Sequence, residues 1–335
     1  MNILVIGGTR FVGRHIVEKA LANGHKVTLF NRGQTDPVVF PRVEKLVGDR
    51  DGDIQELEGR TWDCVIDTCG YVPRIVKQSV DLLKNSINLY VFISTVSVYE
   101  EKGMLILPEE ARLKTIEDET VEEINEDTYG ALKVLCEHEV LAAYPNRALI
   151  IRPGLIIGPH DYTDRFTYWP RRMTQDGPML VPDLANQPVQ FIDARDLAAF
   201  LINLIEKNRT GIFNATGPDD KLHLGDFFEQ CRDICGGKAE FVMVSDKFLQ
   251  KRDDIKPFRD IPLWLSAKNE PYGDMRVDIS RAIDAGLTFT SLKKTILDTL
   301  AWDETRPEEE KYMCGLKPER EREILDAWFE ERAGE

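Results

Sequence analysis

Residues 1–21, MNILVIGGTRFVGRHIVEKAL, decide the fold. The apolar run Ile3 to Ile6 has strand length, stops at Gly7 and Gly8, and gives way from Phe11 to Asn23 to a pattern of helical period. A strand entering a helix through glycines leaves the backbone of Gly7, Thr9, Arg10, Phe11, Val12 and Gly13 open to an anion at the helix N-terminus, where the dipole favours negative charge. At the head of a βαβ unit, such a turn is a pyrophosphate-binding turn.

Working outward, apolar runs alternate with helical segments at Lys26 to Phe30, Val43 to Val47, Cys64 to Asp67, Ile75 to Lys84 and Leu89 to Ile93, then a helix from Asp127 to Ala143 and a strand from Ala148 to Arg152. Alternation of this kind predicts an α/β protein, a Rossmann-type doubly wound parallel sheet with a smaller C-terminal substrate-binding lobe. The expected organisation is a nucleotide-binding domain over 1–155, completed by segments near 189–217. A lobe from 156–188 and 218–302 and a helical tail over 303–335 complete it. After Pro153 the texture turns to Gly, Pro and aromatic residues, the composition of loops over a sheet's carboxyl edge, where specificity resides. FNATG at 213–217 is expected to return a strand to the sheet, and helices are expected near 224–235 and 291–301. KPEREREILDAWFEE reads as an exposed helix with one apolar seam.

The cofactor is read from the end of the second strand. An NAD-specific site places a carboxylate there, against the ribose hydroxyls; this chain has Asn31-Arg32-Gly33. Arg32 and Arg10 are suited to a 2′-phosphate, so NADP(H) is favoured, with NAD(H) the alternative. Asp49 in VGDRDGD is placed to accept from an adenine amino group, and Arg50 beside it is expected among the cofactor-binding residues.

Composition narrows the partners. A net charge of −15 opposes a broad nucleic-acid surface, although an anionic nucleotide can still bind locally. No apolar run reaches membrane-spanning length and no leader pattern precedes the first strand, so a cytoplasmic protein with a small-molecule substrate is expected. The six cysteines are scattered and read as reduced; Cys231 and Cys235 are spaced as helix neighbours and not as a zinc pair, and no metal is expected.

Tyr129 and Lys133, in EDTYGALKVLCEHEV, lie four residues apart, which puts both on one helix face a turn apart. A cation there favours phenolate over phenol and makes Tyr129 a usable acid and base. Thr95, with Ser97 as second choice, in FISTVSVYE at the end of the fifth strand, is placed to hydrogen-bond a substrate carbonyl or alcohol; strand-end hydroxyls also cap the segments that follow them.

Taken together, these residues resemble the extended, atypical short-chain dehydrogenase/reductases of the NAD-dependent epimerase/dehydratase family, from Met1 to about Trp302. The resemblance implies Thr95, Tyr129 and Lys133 as the catalytic set, Asp49 at adenine, and Pro153 of RPGLIIGPHD near the nicotinamide. The family's middle glycine falls on Arg10. Leu155 replaces the Asn of nucleotide-sugar epimerases and Val189 their diphosphate-binding Arg. Val96 and Ser97 stand where sugar dehydratases carry Asp-Glu. These departures disfavour a UDP-sugar and a dehydration, and the opening GGTRF resembles a reductase-like branch that also holds chloroplast RNA-associated proteins.

The sequence therefore predicts an NADPH-dependent reductase or dehydrogenase of a small carbonyl or alcohol. The alternatives are an epimerase with retained NAD(H), or a non-catalytic nucleotide-binding or RNA-associated scaffold. Asp161, Arg165, Tyr168 and Trp169 are the expected substrate wall, with the aromatic pair as an apolar lid. Arg165 either clamps an anionic substrate or pairs with Asp161 or Asp164. His160 reads as a loop residue, and Asp193 to Asp196 as a helix start. A homodimer through the helices of Ile75 to Lys84 and of Tyr129 is the family's habit.

Overall fold

The computed structural model describes residues 1–100, 106–265 and 276–334, so residues 266–275 of the expected lobe lie outside the described residues. The chain divides into two compact units. The first comprises Met1–Ile156, Ala194–Gly217 and Val277–Phe289, and the second the remainder.

The first unit is a seven-stranded parallel sheet. Its N-terminal strands are β1 (Asn2–Ile6), β2 (Lys26–Asn31), β3 (Glu44–Val47), β4 (Trp62–Asp67) and β5 (Ile87–Ile93). Across the sheet the order is Gly211–Ala215, Ala148–Pro153, β5, β4, β1, β2, β3. The order in which successive strands are added therefore reverses between β1 and β4, the switch point at which the carboxyl edge of such sheets leaves a crevice for ligands. A strand returns to the sheet there as the sequence predicts, but it runs Gly211–Ala215, two residues earlier than FNATG.

Side-chain alternation assigns the two faces. Leu4 and Ile6 of β1 join Val65, Phe92 and Ile150 under α2 (Pro73–Leu83) and α3 (Tyr129–Ala143). Ile3 and Val5 are equally buried but belong to the other face, where α1 (Phe11–Ala22) packs against α5 (Ala194–Glu206). Burial on both faces explains the unbroken apolar runs, each side chain contributing roughly 1.5–3 kcal/mol.

The second unit pairs two parallel strands, Gly177–Pro182 and Ala239–Val244. Its core is an aromatic cluster of Phe166, Trp169, Phe191, Phe227 and Phe228, fed by α4 (Tyr168–Met173) and α6 (Leu224–Ile234). Two differences from the sequence reading follow from buried charge and packing. The helix Pro318–Ala333 belongs to this unit because Glu321 is buried against Arg172 (2.6 Å) and accepts the Leu180 amide (3.0 Å). Val277–Phe289, expected in the lobe, belongs to the first unit, where Val277 and Ile279 pack with Val98, Tyr99 and Leu107. Among the described residues no helix is long and apolar enough to cross a membrane.

Candidate active site

The glycine turn lies at the carboxyl end of β1. Gly7 has a φ of 102°, and a Cβ on it would lie 2.4 Å from Thr68 Oγ1, so neither the conformation nor the space admits a side chain. Thr68 donates to the Ile6 carbonyl (2.8 Å), which ties β4 to the turn. The first turn of α1 carries no acidic residue, and its N-cap, Arg10, makes no side-chain cap bond. A tightly turned glycine segment leading to helix amides with no side-chain cap bond fits a pyrophosphate.

The other expected cofactor residues divide. Asn31 has both ends of its amide occupied, Nδ2 donating to the Gly7 carbonyl (3.0 Å) and Oδ1 accepting from the Gly33 amide (2.9 Å). It shapes the turn instead of reaching a ligand. Arg32 and Arg10 are exposed, and Asp49 is half-buried in an Asx turn with the Asp51 amide (3.0 Å). Arg50 differs most from its expectation, because both terminal nitrogens are bound to Asp67 (2.7 and 2.8 Å) and Nη2 also donates to Ser79. A guanidinium so deeply paired is not free to grip a nucleotide. Pro153 ends its strand beside Ala215, where Gly154 donates to the Ala215 carbonyl (3.2 Å).

Tyr129 opens α3 and Lys133 follows one turn later on the same face. Gly130 sets how closely this helix approaches the Thr95 turn, since a Cβ there would lie 2.2 Å from the Ser97 carbonyl oxygen. Thr95 Oγ1 caps that turn by accepting the Ser97 amide and donates to Ser97 Oγ (3.1 Å each). Ser97 is half-buried. Lys133 is 2% exposed, and its ammonium donates to the carbonyls of Gly70 (2.6 Å) and Ile93 (2.7 Å) above the Phe92 ring. Burial depresses its pKa to about 8, against the attraction of nearby anionic groups. The half-exposed Tyr71 ring reaches both residues, 6.5 Å from the Tyr129 ring centre and 5.4 Å from the Lys133 nitrogen.

Sequence reasoning missed the loop DTCGYVP at 67–73, which supplies Asp67, Thr68, Gly70 and Tyr71. Its available signal was an aspartate ending an apolar strand beside β1. Arg152 was missed as well; it is buried against Glu137 of α3.

The expected substrate wall belongs to the second unit. Tyr168 and Trp169 are fully buried, with the Trp169 indole donating to the Pro262 carbonyl (3.1 Å), so they are core and not an exposed lid. Asp164 is taken by Arg171 (2.8 Å) and Arg306 (2.5 Å), while Arg165 is exposed, 6.0 Å from the Phe258 ring centre. Asp161 is buried; Oδ1 accepts twice from Thr163, and among the described residues Oδ2 has no hydrogen-bond partner. Burial raises its pKa to about 6. A carboxyl whose folded pKa exceeds its unfolded value stabilises fully at low pH and loses that contribution as pH rises through about 6. Asp161→Asn should therefore gain about 2–3 kcal/mol relative to the native protein between pH 4 and pH 8, read from urea unfolding at each pH. A difference that stays constant with pH would show that Asp161 is ionised without cost.

Residues 3–68 and 74–215 match the sequence profile of the NAD dependent epimerase/dehydratase family. The chain is 26% identical over 294 residues to the chloroplast stem-loop binding protein of 41 kDa b from Arabidopsis thaliana, covering 80% of this chain and 72% of that protein. Among solved structures, UDP-glucuronic acid 4-epimerase from Bacillus cereus in complex with NAD superposes with a TM-score of 0.67 at 18% identity, covering 91% of this chain and 99% of that one. A putative epimerase from Burkholderia cenocepacia gives 0.68 at 16% identity, covering 90% and 97%.

Proposed function

Because the chain belongs to the NAD dependent epimerase/dehydratase family, we propose that it oxidises an alcohol carbon of a sugar-like substrate and reduces it again on one bound NAD(H), with Tyr129 moving the proton. The observation carrying this reading is the buried Lys133 one helical turn from Tyr129 and bonded to the carbonyls of Gly70 and Ile93, in the same unit as the glycine turn. The epimerases among the similar structures support it over the carbonyl reductase expected from the sequence.

When bound, the nicotinamide supplies acceptance and return of the substrate's carbon-bound hydrogen as hydride. Tyr129 takes the alcohol proton as the carbonyl forms and returns it as the carbonyl is reduced. The Thr95–Ser97 hydroxyl pair hydrogen-bonds that oxygen. Lys133 uses two of its three donors on carbonyls and keeps the third for the ribose hydroxyls, while its charge favours phenolate. Leu155 and the buried Val189 lack the polar groups that hold a nucleotide diphosphate, which supports a substrate without UDP.

In D2O, an active sugar should give an epimer that keeps its carbon-bound hydrogen, with no net NADH. Stoichiometric NADH accumulation would instead mark a dehydrogenase. Cofactor choice is a separate measurement. NADH should bind at least as tightly as NADPH, and Arg32→Ala should leave NADH binding within about threefold, a rim charge being worth little. A tenfold NADPH preference lost in Arg32→Ala would restore the 2′-phosphate reading of Arg10 and Arg32. The Arabidopsis relative supports a second reading, stem-loop RNA binding. The net charge of −15 opposes it, and absence of salt-dependent RNA affinity would remove it.

A further inference from the structure

We infer that Asp67 is a positioning residue for Lys133: locked by Arg50, it fixes the loop after β4 so that the Gly70 carbonyl receives the Lys133 ammonium, and it sets negative charge against that ammonium. The inference rests on the reading of Lys133 as part of the active site.

Asp67 ends β4 with no exposed surface. Its Oδ1 accepts from Arg50 Nη1 (2.7 Å) and the Cys69 amide (3.2 Å), and its Oδ2 accepts from Arg50 Nη2 (2.8 Å) and the Tyr90 hydroxyl (2.9 Å). The carboxylate is thus held by a guanidinium fork and a phenol while it holds the loop backbone in turn. Gly70 follows directly. A Cβ there would lie 2.5 Å from Phe92 Cε2, 2.8 Å from Val76 Cγ2 and 3.2 Å from Asp67 Oδ2, so only glycine lets the loop sit this low. At that depth the Gly70 carbonyl accepts from Lys133 at 2.6 Å, the Phe92 ring lies 4.1 Å beneath the ammonium, and Tyr71 comes within cation–π range.

A lysine buried this far titrates according to what faces it. Asp67 and Cys69 face it from the loop, Arg50 from behind the loop, and Cys136 and Glu137 from its own helix. Asp67 favours the ammonium and Arg50 opposes it, the aspartate more strongly. Removing either partner of the pair therefore moves Lys133 in opposite directions. A part played only in folding would not have that signature, since both changes would simply destabilise.

The test is a pH titration of Lys133 by NMR of protein carrying 13C at lysine Cε, the resonance assigned through Lys133→Arg. Asp67→Asn should lower the midpoint by about one pH unit or more, and Arg50→Gln should raise it. Each single change leaves one buried charge uncompensated, so the double variant Asp67→Asn/Arg50→Gln is measured alongside. Its midpoint should fall, by less than in Asp67→Asn. An unchanged or raised midpoint in the double variant overturns the proposal. Failure of the double variant to fold overturns it too, because it would assign the pair to the fold. Nucleotide titration of the native protein reports separately on the active-site reading, since loss of that binding leaves the lysine shift intact.

Discussion

Tyr129→Phe should lower kcat by about 10²–10⁴, while nucleotide affinity stays within about threefold. The hydroxyl is the only group removed, and the ring keeps its contact with Tyr71. In the proposed reaction, oxidation needs a base for the alcohol proton and the returning step needs the same proton delivered, so one substitution disables both halves. Lys133 cannot substitute, because two of its donors are committed to the Gly70 and Ile93 carbonyls. The pH profile carries a second expectation. With its folded pKa lowered to about 8, Lys133 is an ammonium below that pH and loses its charge above it. Turnover that depends on the ammonium should therefore decline above about pH 8 in the native protein, and Lys133→Arg should abolish that limb at the cost of much of the rate. A Tyr129→Phe protein that retains full turnover would remove Tyr129 from the chemistry, whatever its nucleotide binding.

What was legible in the sequence was what local pattern dictates. The glycine turn, the alternation of strands and helices, and the four-residue spacing of Tyr129 and Lys133 are short-range facts. They led to the parallel sheet and the position of α3. Whatever depends on distant partners was not legible. Arg50 follows Asp49 in a surface-like turn and looked available to a nucleotide, yet it is claimed by Asp67, seventeen residues on. Tyr168 and Trp169 stand in a loop-like, aromatic stretch that reads as a lid, but Trp169 finds its acceptor in Pro262, 93 residues away. Glu321 sits among alternating charges that read as a solvated helix and is instead buried on Arg172, 149 residues away. In each case a charge or ring was assigned to solvent or ligand because its internal partner lies far along the chain, and buried polar groups are nearly always satisfied by such partners.

Arg152 shows how such a partner bears on the candidate active site, and its expected cost is the largest predicted for stability. Its Nε and Nη2 donate to Glu137 (3.0 and 2.6 Å), and its Nη1 donates to the Tyr99 hydroxyl and the Glu109 carbonyl (2.9 Å each). The Tyr99 hydroxyl donates to Asn214 Oδ1 (2.7 Å), and Asn214 Nδ2 donates to the Leu107 and Asp278 carbonyls (3.3 and 3.0 Å). Glu137 lies one turn beyond Lys133, so the pair fixes α3 against the strand Ala148–Pro153 and with it the face bearing Tyr129 and Lys133. Both members are only 1% exposed, so Glu137→Gln strands a buried guanidinium and should cost roughly 3–5 kcal/mol, read from the urea midpoint at constant m. Glu137→Met/Arg152→Met removes both charges and should cost less than either single change, because the desolvation of two ions disappears with the attraction between them. Charge-pair coupling and simple packing loss then separate cleanly. If the double variant costs as much as the sum of the singles, the pair acts through shape alone, and the orientation of α3 must be held by the apolar contacts of Cys136, Val140 and Tyr144.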